Sequence, residues 1–187
     1  MNTVVRLLAT CTLTLPLTTL AAAHTHGAHE HGHAQLNLAL DGQQLLIEFE
    51  APAADLVGFE HPPRTRQEQQ HYAQALLPLK QADQLFVLPS AAACQLQQQT
   101  VSSEAEAHEE TEQGHDDASG HHEHEAEEHS DIHASFTFVC QQPEALNSFG
   151  VRLFKQYPSL EKISLQAILP TTQTSAELTP TTTALYW

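Results

Sequence analysis

The fold is set by residues 34–50, which read AQLNLALDGQQLLIEFE. Apolar and polar residues alternate through both halves of this stretch, which is the pattern of strands with one buried face. The apolar positions are Leu36, Leu38 and Leu40 in the first half and Leu45, Ile47 and Phe49 in the second. Asp41-Gly42 is a strong signal for a two-residue turn. The stretch therefore predicts a β-hairpin with strands at 34–40 and 43–50.

Outward from this hairpin, the sequence predicts an α+β domain that covers residues 34–187. Prolines and a glycine predict a loop over 51–63, and apolar residues at helical spacing predict a helix over 64–80 that Pro78 ends. A second helix is predicted over 144–157, between Pro143 and Pro158. Further strands are predicted at 85–88, 93–101, 132–140, 161–169 and 174–179. The predicted fold is a predominantly antiparallel sheet with two helices.

Residues 1–23 have the composition of a secretory signal peptide. Arg6 gives a weakly cationic start, an apolar stretch follows, and Ala21-Ala22-Ala23 is the small-residue ending that signal peptidase recognises. The apolar stretch is too short and too rich in threonine for a membrane anchor, which takes roughly 20 uninterrupted apolar residues. We therefore predict cleavage after Ala23, export, and no stable membrane insertion.

Cleavage would also remove Cys11 and leave two cysteines, Cys94 and Cys140, in a compartment that permits disulfides. A single pair has one connectivity, and the alternative is two buried, reduced thiols. Suppose that strands 93–101 and 132–140 pair antiparallel with the two cysteines opposite each other. The residues that face inward on one strand then lie opposite the residues that face inward on the other. Leu96 then faces Phe138, and Gln98 faces Phe136. We predict a Cys94–Cys140 disulfide that closes one end of this hairpin.

The charge balance excludes nucleic acid as a partner. The chain has 23 Asp and Glu residues against 7 Lys and Arg residues, for a formal net charge of −16, and phosphate binding needs clustered Lys and Arg. The count of 14 histidines is more unusual. Because neutral imidazole is a good ligand for zinc, copper and nickel, the composition favours metal binding over catalysis.

Residues 102–131 form an acidic, histidine-rich segment between two predicted strands. From Glu104 to His133 there are twelve carboxylates, no Lys or Arg, and no large apolar residue before Ile132, so the segment is predicted to be disordered. Its histidines, with His133 just beyond it, are His108, His115, His121, His122, His124, His129 and His133. A solvated acidic linker explains the carboxylates but leaves the imidazoles unexplained. We therefore expect several metal sites in this segment, each of modest affinity.

The predicted mature N-terminus repeats this theme. Residues 24–33 read HTHGAHEHGH, and the candidate ligands there are His24, His26, His29, His31 and His33. An artificial purification tag is the alternative, but these histidines follow a signal-cleavage site and alternate with other residues. The tract predicts metal binding without indicating which metal.

His33 and His133 each begin a predicted strand, on the face opposite its apolar residues. With His31 and His129 they are candidates for a preformed metal site on a rigid sheet. The alternative is a pair of exposed histidines that never meet.

His61 and His71 are weaker candidates. His61 follows Glu60 in a proline-limited loop, where a structural role is as consistent with the sequence as metal ligation. His71 lies in the middle of a predicted helix and is interpreted as plain helix surface.

Four stretches of the chain carry a resemblance to a known family. They read HEHGHAQLNLALDG (29–42), LIEFEAPAADLVGFEHPP (46–63), HSDIHASFTFVC (129–140) and LFKQYPSLEKISLQAILPT (153–171). Together with the histidine-rich insert they span nearly the whole mature chain, and they resemble the ZrgA-like family of zinc-regulated periplasmic proteins of Gram-negative bacteria. GFEH and HxDxHxxxxFxC are specific in combination.

The resemblance implies a periplasmic zinc-binding protein that supports zinc uptake. Its implied partner is an ABC-type importer or the solute-binding protein of that importer, and the central histidine region would hold multiple ions. The resemblance also implies metal-binding roles for His31 with His33, for the Glu60-His61 pair, and for His129 with His133.

Two other functions remain open at this point. A periplasmic copper or nickel buffer for detoxification would use the same ligands. The only methionine is Met1, which argues against a Cu(I) carrier because Cu(I) favours soft thioethers, but Cu(II) and Ni(II) stay possible. A metallohydrolase would need three held ligands and a general base, and the sequence has no HExxH motif. We expect a zinc-binding protein and not an enzyme.

Overall fold

The structure, a computed structural model, describes residues 30–103 and 130–187. The described residues form nine strands: β1 (His33–Asp41), β2 (Gln44–Pro52), β3 (Phe86–Val87), β4 (Cys94–Ser103), β5 (Asp131–Cys140), β6 (Ser148–Val151), β7 (Lys162–Leu169), β8 (Thr172–Leu178) and β9 (Ala184–Tyr186). Within the same ranges there are four short helices: α1 (Ala53–Val57), α2 (Arg66–Ala75), α3 (Ala82–Leu85) and α4 (Leu153–Gln156).

The strands form two sheets. The central sheet has the order β4-β5-β2-β1-β7-β8, and the smaller sheet has the order β3-β6-β9. All neighbours are antiparallel except β1 and β7, which are parallel. The parallel pair arises because residues 141–161 return the chain to the end where β1 begins, so that Lys162 pairs with His33. The α+β class and the mostly antiparallel sheet are confirmed, whereas the expectation of two helices is wrong.

One face of the central sheet carries the hydrophobic core. Alternate residues of its strands are buried there, and Leu36, Ile47 and Phe136 have no exposed surface. The rings of Phe136 and Phe86 meet edge-on, with centroids 5.0 Å apart, so β3 packs onto this face. Burial of each such side chain stabilises the fold by about 1.5–3 kcal/mol. The opposite face therefore carries the polar members of the alternation.

The hairpin of β1 and β2 is confirmed, but its turn lies one residue later than predicted. Asp41 pairs with Gln44, so Gly42 and Gln43 form the turn, and Gly42 has φ +56°. A glycine at the first turn position is typical of a type II′ hairpin. In this register Leu40 faces Leu45, whereas a turn at Asp41-Gly42 would place Leu40 opposite Gln43. Apolar cross-strand pairing therefore selects the later turn.

The predicted loop over 51–63 contains a helix. Pro52 is the N-cap of α1, and Gly58 ends the helix in the left-handed conformation with φ +87°. The loop prediction is wrong here because it treated the proline and the glycine as breakers, whereas a helix can lie between them.

The predicted helix over 64–80 is confirmed in its centre. Thr65 and Glu68 form a capping box, in which the N–H of Glu68 donates to the Thr65 hydroxyl and the N–H of Thr65 donates to the Glu68 carboxylate. Helix α2 ends at Ala75, and a 3₁₀ turn at Leu77–Lys80 contains Pro78. The strand predicted at 85–88 is confined to Phe86–Val87.

The predicted helix over 144–157 is wrong. Pro143 begins only a 3₁₀ turn that ends at Ala145, residues Ser148–Val151 form β6, and helix α4 covers Leu153–Gln156. The chain is instead extended at 148–151, where β6 pairs with β3 and β9 and buries Phe149 and Val151 in the core. Strand β9, which pairs with β6, was also missed.

The disulfide between Cys94 and Cys140 is present and joins β4 to β5. Leu96 faces Phe138 as predicted, but a bulge follows, so that Gln98 faces Thr137 and Phe136 faces Gln99. Leu96 is 40% exposed instead of inward, because β4 is an edge strand.

The strands β4 and β5 extend into both ends of the acidic segment predicted at 102–131. Ser102 and Ser103 belong to β4, Asp131 belongs to β5, and the three are paired within the sheet. The predicted signal peptide, 1–23, and residues 104–129 lie outside the described residues.

Candidate metal-binding residues and their surroundings

Five of the fourteen predicted metal ligands lie in the described residues: His31, His33, Glu60, His61 and His133. The other nine, His24, His26, His29, His108, His115, His121, His122, His124 and His129, lie outside them. For those nine, a metal-binding role stays a prediction from the sequence.

The side chains of His31 and Glu60 lie next to each other where the chain enters the domain. The His31 Nε2 atom lies 3.6 Å from Glu60 Oε1, and the two side chains are 65% and 18% exposed. His31 belongs to the turn before β1, and Glu60 follows the end of α1. The structure therefore brings together two residues that are 29 positions apart in the sequence, and it pairs Glu60 with His31.

His33 is held on both sides of its ring. Its Nε2 lies 2.7 Å from Ser164 Oγ on β7, and its Nδ1 lies 3.3 Å from Glu30 Oε2. Lys162 Nζ also lies 3.8 Å from Glu30 Oε2. Metal ligation by His33 would have to displace one of these two ring contacts.

His133 lies on the polar face of the central sheet, opposite Glu50 of β2. The His133 Nδ1 atom lies 3.5 Å from Glu50 Oε2, with both side chains about 40% exposed. The neighbouring residue of β4 on the same row is Ser102. An open cavity of about 260 Å³ surrounds this pair, lined by Asn37, Glu48, Phe49, Glu50, Thr100, Ser102, His133, Ala134 and Ser135. This cavity lies on the polar face of the sheet and is lined by residues of neighbouring strands.

The structure does not bring His33 and His133 together. Strand β2 lies between β1 and β5, so the two histidines are two strand spacings apart across the sheet, roughly 10 Å. The register also offsets them by two residues along the strands. Each has its own carboxylate neighbour, Glu30 for His33 and Glu50 for His133. A metal site that joins these two side chains directly is not formed.

His61 and His71 flank the ring of Phe59. The His61 ring stacks on Phe59 with centroids 4.8 Å apart, and its Nδ1 lies 3.0 Å from the Pro62 carbonyl oxygen. The His71 Nε2 lies 2.9 Å from the carbonyl oxygen of Val57, the last residue of α1. His71 is therefore not plain helix surface, because it ties α2 to the end of α1. The contacts of His61 are those of a structural role in its loop.

Asp55 is a buried carboxylate beside His31 that no sequence pattern singles out. Its Oδ2 accepts the N–H of Gly32 at 2.7 Å, and the residue is 8% exposed. Burial raises the pKa of the Asp55 carboxyl, the Gly32 N–H and the nearby His31 lower it, and the carboxylates of Glu60 and Glu161 raise it. Alternation with Phe49 predicts an outward position for Glu50, but its pairing with His133 depends on strand register.

The two histidine-bearing segments join the domain at one end of the central sheet. The chain enters the described fold at Glu30, leaves it at Ser103 and returns at Ser130. His33, the first residue of β1, and Asp131, the first residue of β5, are at the same end because β2 pairs antiparallel with both strands. The His31–Glu60 pair lies beside this entry point.

In the described ranges, side chains that could ligate a metal lie together in pairs. Within residues 30–103 and 130–187, no three His, Cys, Asp or Glu side chains converge to hold a metal ion. An imidazole with one carboxylate suits zinc, copper or nickel, and water would complete the coordination of an ion held there.

Among the described residues, no helix has the length and apolar character needed to cross a bilayer.

Comparison with known protein families matches residues 28–187 to the family described as "ZrgA family zinc uptake protein". A comparison with curated protein sequences finds no match. The matched range includes all the described residues.

Proposed function

The chain belongs to the ZrgA family of zinc uptake proteins, and on that premise we propose that it is a periplasmic zinc-binding protein. It collects or buffers Zn²⁺ and supports uptake of the ion as an accessory to an ABC-type importer, with the importer or its solute-binding protein as the receiving partner. The proposed role is binding and delivery of zinc, with no catalytic step.

The observation that carries this proposal is the placement of the two histidine-bearing segments. Both join the domain at the end of the central sheet where His31 faces Glu60 and where β5 begins, two residues before His133. The strand order places β1 and β4 three positions apart, a lateral distance of roughly 15 Å. The two segments are therefore attached to the domain at the same end of the central sheet, a short distance apart.

The net negative charge of the chain also supports a role in binding zinc. The chain carries 23 acidic residues against 7 basic ones, and the negative potential raises the local concentration of cations. Removal of Arg6 with the signal peptide makes the mature charge −17, from 6 basic and 23 acidic residues. Several ions held by imidazoles with modest affinity suit a protein that must release its cargo.

The test replaces residues 104–128 of the full chain with a Gly-Ser-Gly-Ser linker and measures bound zinc by elemental analysis and calorimetry. The replaced segment contains five of the fourteen histidines, and we expect most of the zinc stoichiometry to disappear. The fold should persist, because Ser103, Ser130 and Asp131 at the two ends of the segment are buried and a shorter loop costs the folded state little.

A matched variant keeps the length and the carboxylates of the segment and changes its five histidines to glutamine. They are His108, His115, His121, His122 and His124. If imidazoles are the ligands, this variant loses as much zinc as the linker variant. Unchanged zinc stoichiometry in both variants would refute the proposal for this segment.

Growth of a deletion strain distinguishes supply from detoxification. We expect the strain to grow poorly in zinc-depleted medium and the gene to be induced by depletion. Induction by excess copper or nickel, with sensitivity to those metals, would instead identify a detoxifying buffer.

A further inference from the structure

The chain enters the described fold through a four-residue turn, Glu30–His33. The N–H of His33 donates to the carbonyl oxygen of Glu30 at 3.1 Å, and Gly32 has φ +79°, which is typical of the third residue of a type II turn. A Cβ atom on Gly32 would lie 3.2 Å from Glu161 Cγ. The backbone conformation therefore favours glycine here, and a Cβ atom would also crowd the Glu161 side chain.

The peptide groups of Gly32 fasten this turn to the domain. Its N–H donates to Asp55 Oδ2 at 2.7 Å. Its carbonyl oxygen accepts the N–H groups of Glu161 at 2.8 Å and Lys162 at 2.9 Å. A hydrogen bond to a carboxylate is stronger than one between neutral groups, and Asp55 is almost completely buried. Asp55 therefore fixes the position of the turn relative to α1.

The residue next to this fixed glycine is His31, whose Nε2 lies 3.6 Å from Glu60 Oε1. In a tetrahedral zinc site with bonds of about 2.0–2.2 Å, the nitrogen and oxygen donors are about 3.4 Å apart. The two atoms thus already have nearly the separation that zinc requires. His31 is largely exposed, so an ion from solvent can reach the pair.

We infer that Asp55 is a positioning residue for zinc: it holds the Gly32 turn so that His31 and Glu60 form a preformed two-donor position for Zn²⁺, with water completing the coordination. This inference rests on the proposed function and assigns part of the binding to the folded domain. Ordering a free histidine against a distant carboxylate costs entropy, and the turn removes most of that cost before the ion arrives.

The test titrates zinc alone into the isotope-labelled full chain and follows assigned NMR signals. In the wild type, the side-chain signals of His31 and the amide signals of Gly32 and Glu60 should respond to zinc. In Asp55→Ala, the acceptor of the Gly32 N–H is lost, and the apparent affinity reported by His31 should fall at least tenfold. In Asp55→Asn, the amide oxygen can still accept that N–H, so the response should return to within a few-fold of the wild type. Asp83→Ala removes an exposed carboxylate on α3 and should leave the response unchanged.

The outcomes separate this inference from the proposed function. An equal His31 response in Asp55→Ala, or an Asp55→Asn variant as weak as Asp55→Ala, would overturn the positioning role. If Asp55→Ala does not fold, Glu60→Gln gives the decision in a chain whose turn is intact: its His31 signal should lose the zinc response, and a retained response would overturn the inference. A silent His31 in a wild-type chain that binds zinc elsewhere refutes the inference alone. A chain that binds no zinc at all refutes the proposed function.

Discussion

Individual histidines in this protein have different roles that residue type alone does not distinguish. His33 has both ring nitrogens within contact distance of protein atoms, Ser164 Oγ and Glu30 Oε2. His71 is attached to the last carbonyl of α1. His31 and His133 each face one carboxylate and remain partly exposed. An ion from solvent can therefore reach both rings.

A prediction at the residue scale concerns Ala93, which has φ +48° and ψ +48° just before Cys94. The left-handed conformation costs a residue with a Cβ about 1–2 kcal/mol, and glycine loses about 0.5–1 kcal/mol more backbone entropy on folding than alanine. Ala93→Gly should therefore raise the free energy of unfolding by about 0.5–1 kcal/mol, measured in urea. Ala91→Gly, in the adjacent 3₁₀ turn, is the control and should lower it by a similar amount. A destabilised Ala93→Gly variant would be inconsistent with this backbone conformation.

At the scale of elements, the residues at the ends of the short helices determine where these helices form more than the pattern of their apolar residues does. Helix α1 has five residues between Pro52 and Gly58. Helix α2 has no buried residue and begins at a capping box. Helices of this length are marginal by themselves, so their end caps and their contacts to neighbouring elements determine where they form.

The capping box of α2 gives a prediction on pH dependence. The N–H groups of Thr65 and Arg64 donate to the Glu68 carboxylate and lower its pKa from the ordinary value of 4.5. A group whose pKa is lower in the folded state adds stability above its unfolded pKa, and that stability is lost as the pH falls through the folded pKa. Glu68→Gln should therefore be less stable than the wild type at pH 7, and the difference should shrink as the pH falls below 4.5.

Urea unfolding at pH 7, 5 and 3 measures this difference. Glu177→Gln, on the exposed face of β8, is the control for the loss of one surface carboxylate. A Glu68→Gln effect that is the same at pH 7 and pH 3 would show that the charge of Glu68 is not responsible.

Across the whole molecule, the central sheet has its disulfide at one end and its connections to residues 104–129 at the other. The disulfide lies where β4 begins and β5 ends, and residues 104–129 connect the opposite ends of the same two strands. The strand pair between them is ten residues long on each side. The sheet is thereby closed at one end, while the other end carries the chain connections to both histidine-rich segments.

The disulfide prediction belongs to this scale. Its cysteines are 46 positions apart, and in the loop-entropy model a bond across that distance stabilises the fold by about 4 kcal/mol. The double variant Cys94→Ala with Cys140→Ala should lose up to that amount in urea unfolding. A reducing agent should lower the stability of the wild type in the same way and leave the double variant unchanged. A loss below about 1 kcal/mol would contradict the loop-entropy estimate.

The sequence by itself determined the strands whose apolar residues alternate, the disulfide pair and the α+β class, and it supplied the candidate metal ligands. It could do so because alternation and residue chemistry are local properties of the chain. It did not determine the turn at Gly42-Gln43, the small sheet built on β6 or the bulge after Leu96, since cross-strand packing selects among local conformations that the sequence allows. Only the tertiary structure showed that His31 meets Glu60, that His133 meets Glu50 and that Asp55 holds Gly32. These contacts join residues between 23 and 83 positions apart, and no local pattern records them because strand order and register decide which distant side chains become neighbours.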